Sequence, residues 1–295
     1  MQAQIAPTLP PLRTGLGILL MLLAIFLFTT MDAVVKGLVD RYPSPMIVWV
    51  RFMGQLVFVL IVLRHHLPAR LMTRYPGLHL ARALTQLGAS ALFFTSLVYI
   101  GLAEATALSD INPVLITLGA ALFLGERLGP RRLFGVFAAL VGALIVIRPG
   151  AGVFTWAAVL PLLGAVCYAA NALLTRFIGP QESLWTAMAW TSLVCTGLTT
   201  LALPFFWVPV PPGDLPILGL VGLLGMLAQL CIIRSFSLAE ASAVAPFAYI
   251  GIAFATGWGI LLYDEYPDGW TILGTLVIVA AGLYVWHRET RARAA

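Results

Sequence analysis

Ionisable and amide side chains stand at helical spacing inside stretches that are otherwise apolar, and chemistry, if any, would reside there. Asp32 and Lys36 are four residues apart, so on a helix they share a face and can pair. They read either as an ion pair near a helix end, with the lysine reaching for headgroups, or as gate charges that exchange partners between conformations. Arg51 and Gln55 repeat the spacing. A guanidinium there binds a carboxylate of a bound molecule or locks neighbouring helices together, for example through Asp32. Ser109, Asp110, Asn112 and Pro113 fall together. Proline gives no N–H to its helix, which frees a carbonyl one turn earlier and permits a kink. With Asp110 and Asn112 beside it the result is a polar notch, serving either an interhelical hydrogen-bond cluster or contact with a bound molecule. Pro246 stands at the equivalent place later in the chain.

A second set is aromatic and amide in character: Gln86, Phe93 and Tyr99, Tyr168 and Asn171, Trp190, and Gln229. Together they would line a cavity suited to an amphipathic molecule with an apolar side chain. Singly, each serves equally well facing lipid or in an interfacial belt, and Trp156, Trp207, Trp270 and Trp286, close to span ends, read as belt residues. Other chemistries find no support. Cys167, Cys195 and Cys231 have no paired spacing, and His65, His66, His79 and His287 form no cluster with acids or thiols. The sequence thus offers no disulfide framework, metal site or catalytic set, and no cofactor is expected. A phosphate loop of the form GxxxxGK[ST] is also missing from the sequence, which argues against nucleotide hydrolysis by this chain.

The elements that must position these residues follow from composition. Of 295 residues 61% are hydrophobic and 10% charged, against about 25% charged in soluble domains. So few charges cannot cover a water-facing surface, and lipid must be the solvent for much of the chain. The net charge of +5 therefore reports orientation rather than nucleic-acid binding. A spanning helix needs about 20 largely apolar residues. The hydropathy pattern predicts ten, near 15–35, 45–63, 78–100, 105–124, 133–147, 156–174, 183–203, 215–236, 242–262 and 270–286. The first continues past Phe28 to Val35 without a small-residue cleavage site and reads as a retained helix.

Part of the pattern is written twice. Leu102–Ala107 (LAEATA) aligns with Leu238–Ala243 (LAEASA), Glu126 with Glu265, and Gly135 with Gly274. Each half holds five spans, an odd number, so the second must enter from the opposite face. The expected architecture is all-α and integral to the membrane, with ten helices as two inverted five-helix repeats, 15–149 and 150–288, flanked by tails at 1–14 and 289–295. Loop charges agree. One side carries Arg13, Arg64, Arg70, Arg74, Arg127, Arg131, Arg132, Arg176, Arg288, Arg291 and Arg293. The other has only Lys36, Arg41 and Arg148 as cations, which places both termini in the cytoplasm.

Three features resemble the drug/metabolite transporter superfamily, and within it the EamA-like exporters. They are the Ala103–Ala107 and Ala239–Ala243 turns, Pro113 and Pro246 in the helices that follow, and Gly125-Glu126 followed by Gly135 and Gly142. The second half departs from it, with Asp264-Glu265 for Gly-Glu. The resemblance is closest to the aromatic and broad-range amino-acid exporters of bacterial inner membranes. It implies a secondary transporter that exports small metabolites, amino acids foremost, by alternating access through a central cavity between the repeats. On that reading Tyr99, Asn112, Tyr168, Asn171, Gln229, Phe93, Gln86 and Trp190 line the cavity. Asp32, Lys36, Arg51, Asp110, Pro113 and Pro246 gate or couple it. The partners are a small molecule and the lipid bilayer, with the chain as a monomer or a homodimer. Import of a vitamin or a nucleoside-type cofactor is the competing reading within transport, and a membrane-embedded lipid-modifying enzyme the competing reading outside it. The glycines of the fifth and tenth spans fit a close helix contact, inside the chain or between copies.

Overall fold

A computed structural model of the chain describes residues 11–66, 71–124, 130–147, 156–178, 182–238 and 245–294. Its α-helices, in chain order, are α1 (Pro11–Leu38), α2 (Ser44–Leu63), α3 (Pro76–Ser96), α4 (Leu102–Ser109), α5 (Asn112–Leu124) and α6 (Pro130–Ile147). They continue as α7 (Val159–Ile178), α8 (Leu184–Ala202), α9 (Leu215–Leu238), α10 (Ile250–Tyr263) and α11 (Gly269–Ala294). No strand occurs among the described residues. Among the described residues, five segments are long and apolar enough to cross a membrane: Gly15–Leu38, Ser44–Leu63, Trp156–Thr175, Trp185–Phe205 and Pro212–Ser235. Leu133–Val146, Phe247–Tyr263 and Gly269–Tyr284 are shorter apolar helices. With backbone polar groups satisfied inside each helix, such segments suit lipid.

The predicted fourth span is two helices rather than one. α4 ends at Ser109 and α5 restarts at Asn112, with Asp110 and Ile111 between. Pro113 thereby falls in the first turn of α5, where a missing N–H costs nothing. In the ninth span the described residues begin at the matching place. A 3-10 turn over Ala245–Tyr249, holding Pro246, precedes α10.

Packing follows the repeat. α1 lies against α9, and its counterpart α7 lies against α3. α2 packs on α9 as α8 packs on α3; α1 packs on α10 as α7 packs on α5. α2 with α8 and α6 with α11 are contacts between counterparts, and α4 packs on α10, the counterpart of α5. Each half thus buries its helices mainly against the other. One core runs through the bundle, with Met31, Phe52, Phe94, Leu102 and Ile278 among its buried members.

Glycine pairs allow two of these crossings. A Cβ added at Gly54 would lie 2.5 Å from Gly222 Cα, and one at Gly274 would lie 2.6 Å from Gly142 O. The close contact expected of Gly142 and Gly274 is therefore within the chain, between α6 and α11. Backbone atoms cannot rotate aside, so a side chain must push the helices apart, at about 1–3 kcal/mol. Gly274→Val should lower the melting temperature of the detergent-solubilised protein. Gly219→Ala, on α9 with nothing within 4 Å, should leave it unchanged.

Candidate functional site

The fourth and ninth spans meet over a cavity of about 290 Å³. Asp110 and Asn112 reach it from the α4–α5 break and Ala248 from the 3-10 turn before α10. α1 contributes Phe28, Thr29 and Asp32, α2 contributes Arg51, α3 contributes Gln86, Ser90 and Phe93, and α7 contributes Tyr168. The wall also includes Met21 and Ile25 of α1 and Ile232 of α9. Ser235 Oγ donates to Gly17 O at 2.7 Å, which sets the end of α9 against the start of α1. The cavity therefore extends from the middle of the bundle toward the end where α1 begins.

Polarity inside this cavity is concentrated and under-satisfied. Asp110 Oδ2, Asn112 Oδ1 and Ser90 Oγ are buried without a hydrogen-bond partner. Such groups cost free energy unless something else meets them. The guanidinium of Arg51 is surrounded by three rings, at 5.8 Å from Phe28, 5.7 Å from Phe52 and 5.3 Å from Phe94. Their faces stabilise the cation on the cavity wall. Asp32 lines the same cavity within electrostatic reach of Arg51, yet the two are not in ion-pair contact. Cationic and anionic groups thus stand in one chamber, whose lining also holds Phe28, Phe93, Tyr168, Met21 and Met31.

The opposite end is tied shut. Lys36 Nζ lies 2.8 Å from Glu265 Oε1 and donates to Ile100 O at 2.8 Å and Leu97 O at 3.3 Å. Glu265 Oε2 accepts from the Leu102 amide at 3.0 Å, the first N–H of α4. Tyr263 donates to Ala33 O. Lys36 therefore pairs across the halves with Glu265 rather than along its own helix with Asp32. Asp264, at φ 54°, adopts the left-handed conformation that caps α10 and turns Glu265 inward, its amide donating to Gly259 O at 3.0 Å. Nearby, Tyr42 donates to Asp214 Oδ2 at 2.5 Å and Arg41 lies 3.4 Å from Asp214 Oδ1. The hydrogen bond to that carboxylate holds the Tyr42 phenol above its ordinary range.

Other predicted site residues lie elsewhere. Tyr99 is half exposed, with its ring 5.1 Å from Trp156. Asn171 Nδ2 donates to Arg82 O at 2.7 Å, joining α7 to α3. Trp190 Nε1 donates to Leu71 O at 3.2 Å and the ring stacks on His79 at 5.9 Å. Gln229 lies on α9 and is not part of the cavity wall. Glu126 lies outside the described residues. Phe28, Phe52 and Phe94 had no signal in the sequence beyond their aromaticity, since they come from three helices. Among the described residues no group of three or more His, Cys, Asp or Glu could hold a metal.

The model of the EamA-like transporter family matches this chain twice, over residues 15–148 and 155–286. Similar proteins span almost the whole length. A riboflavin transporter of Rhizobium johnstonii is 32% identical over 288 residues, 95% of this chain and 94% of its own. A pseudopaline exporter of Pseudomonas aeruginosa is 32% identical over 273 residues, 90% of this chain and 94% of its own. An S-adenosylmethionine uptake transporter of Rickettsia bellii is 23% identical over 278 residues, 94% and 96% respectively. A solved crystal structure superposes with a TM-score of 0.64 at 18% identity, covering 91% of this chain and 96% of that one, which shows a shared fold.

Proposed function

The chain belongs to the EamA-like transporter family, a multi-pass membrane family whose matched relatives are named as transporters and exporters of small molecules rather than as enzymes, and from that premise we propose that it exports amino acids, aromatic ones included, by alternating access. The observation that carries this reading is the chamber itself. Ring-caged Arg51 suits a carboxylate, Asp32 and the unpartnered Asp110 Oδ2 suit an ammonium, and Phe93 and Tyr168 suit an apolar side chain. Gln86 and Asn112 add amide contacts. Asp32, Lys36, Arg51 and Asp110, with Pro113 and Pro246, form the gating and coupling set. The halves divide at 149/150. The arginine bias places both termini in the cytoplasm of a bacterial inner membrane, so the chamber extends inward and the Lys36–Glu265 lock closes the outer face.

A second reading has its own support. The relative named as a riboflavin transporter is 32% identical, and a cationic, aromatic-walled chamber also suits a planar heteroaromatic ring. Counterflow in liposomes separates the two. Protein loaded with unlabelled phenylalanine should exchange labelled phenylalanine, tyrosine and leucine saturably, and unlabelled riboflavin should not compete. Exchange of riboflavin without exchange of any amino acid would replace the first reading by the second.

A further inference from the structure

A second polar cluster lies outside the chamber, where α3 begins. His79 is fully buried, and neither ring nitrogen has a hydrogen-bond partner. Its Nε2 stands 3.9 Å from Glu182 Oε2, beyond hydrogen-bond range but within reach of a small rotation. Trp190 stacks on the ring at 5.9 Å, tilted by 22°. Glu182 Oε1 accepts from Thr73 Oγ1 at 2.7 Å and from the Arg74 amide at 3.4 Å. Arg82, one turn along α3, donates to Ala187 O, Thr191 Oγ1 and Thr175 Oγ1 at 2.6, 2.7 and 3.2 Å, while its Nε stays unpartnered. A cavity of about 50 Å³ lies among His79, Arg82, Thr175, Glu182 and Ser183, with Ile178 and Ala187 completing its wall, and it is wide enough for water.

The cluster is costly and one-sided. Continuing the repeat alignment down the third and eighth spans sets His79 against Leu215 and Arg82 against Leu218. The same helix in the other half is therefore built with leucine, so the fold itself does not require these charges. The cluster is also continuous with the chamber. Gln86 and Ser90 follow Arg82 at four-residue steps on α3 and line the chamber wall. Asn171, bonded to Arg82 O, lies three residues from Tyr168 of the same wall.

We propose that His79 and Glu182 bind a proton whose uptake is linked to transport through the chamber. With His79 neutral, Arg82 and Glu182 balance and the imidazole nitrogens lack partners. A proton from water on this side adds to Nε2, and the new N–H donates to Glu182 Oε2, which remains a carboxylate. The bond fixes Glu182, which already holds the 71–75 connection through Thr73 and Arg74, and so tightens the contact between the two halves at this end. Release of the proton to the same water loosens it. Among the described residues, the charged and titratable groups around His79 are Arg82 on its own helix and Glu182 from the connection before α8. Thr175, Thr73, Ser183 and Trp190 complete the surroundings from α7, the neighbouring connections and α8. The inference rests on the transport reading but not on its substrate.

Tryptophan emission tests it without a substrate, because an imidazolium stacked on indole quenches it. The full chain in nanodiscs should show a step in emission between about pH 5 and 8, the range in which histidine changes charge. The step should vanish in His79→Gln and in Trp190→Phe, and Glu182→Gln should move it to lower pH by about one unit, since the imidazolium loses its carboxylate. In liposomes, the pH profile of counterflow, with phenylalanine or riboflavin as the probe, should flatten in His79→Gln while exchange continues. No His79-dependent step, or a step that Glu182→Gln leaves in place, overturns the proposal. So does an unchanged counterflow profile in His79→Gln. Absence of amino-acid counterflow with the emission step intact would instead sink the amino-acid reading alone.

Discussion

Arg51→Gln will reduce kcat/KM for exchange about 10–100-fold, the scale set by losing a charge-assisted hydrogen bond in a desolvated site. Arg51 is the cation on the chamber wall that three rings hold in place. Glutamine keeps the length and some donors but neither the charge nor the affinity for the rings. Arg51→Lys separates charge from shape. A lysine restores a point charge without the planar fork, so a carboxylate should recover part of its affinity while KM stays raised. Asp32→Asn should act on the other charge of the same molecule. It should weaken exchange of zwitterionic amino acids and spare a deaminated analogue such as phenylpropionate. The competing role for Arg51 is a helix lock between α1, α2 and α3. That role would show as a lower melting temperature in Arg51→Gln with KM for the surviving protein unchanged, and such a result would remove Arg51 from the binding site.

The sequence made the frame of this site readable and left its fine pairing hidden, for physical reasons. Prolines and short polar side chains mark weak points locally, so Asp110, Asn112 and Pro113 pointed to a kink in one span, which the structure shows as a full division into α4 and α5. Aromatic and amide character inside an apolar span marked Gln86 and Phe93 as wall candidates, and both line the chamber. Contacts between distant helices leave no such trace. Lys36 and Asp32 have the spacing of a helical pair, yet Lys36 meets Glu265, more than two hundred residues on. That pairing depends on the left-handed Asp264, which no periodicity reports. The cage around Arg51 is hidden for the same reason, since Phe28, Phe52 and Phe94 come from three helices. Trp190 and Asn171 carried the composition of a binding wall and instead support the His79–Arg82 cluster. An aromatic or an amide is equally at home in either setting, and only the third dimension separates them.

Glu265→Gln will release the closed end of the bundle. The Lys36–Glu265 pair is largely sheltered, with side chains 12% and 30% exposed. Removing one charge of a buried pair strands the other, at about 3–5 kcal/mol when burial is complete and less where water reaches. A loss of about 1–2 kcal/mol is expected for this pair, shifting the balance between closed and open forms about 5–30-fold. Ala33 is buried beside this lock, its carbonyl accepting from Tyr263. A cysteine placed there, Ala33→Cys, should react with a membrane-impermeant maleimide several-fold faster when Glu265→Gln is present. The double change Lys36→Met with Glu265→Met gives the decisive contrast. It strands no charge and fills similar volume, so it should restore protection at Ala33→Cys. Because opening would then expose two apolar side chains to water in place of two charges that water solvates, opening becomes harder, and the exchange rate should fall below that of the parent while affinity stays. Fast labelling in the double variant would mean that the charges only hold the α4 start and the 97–101 turn in shape. Protection in Glu265→Gln itself would mean that the carbonyls of Leu97 and Ile100 suffice to hold Lys36 and that the end is shut by packing alone.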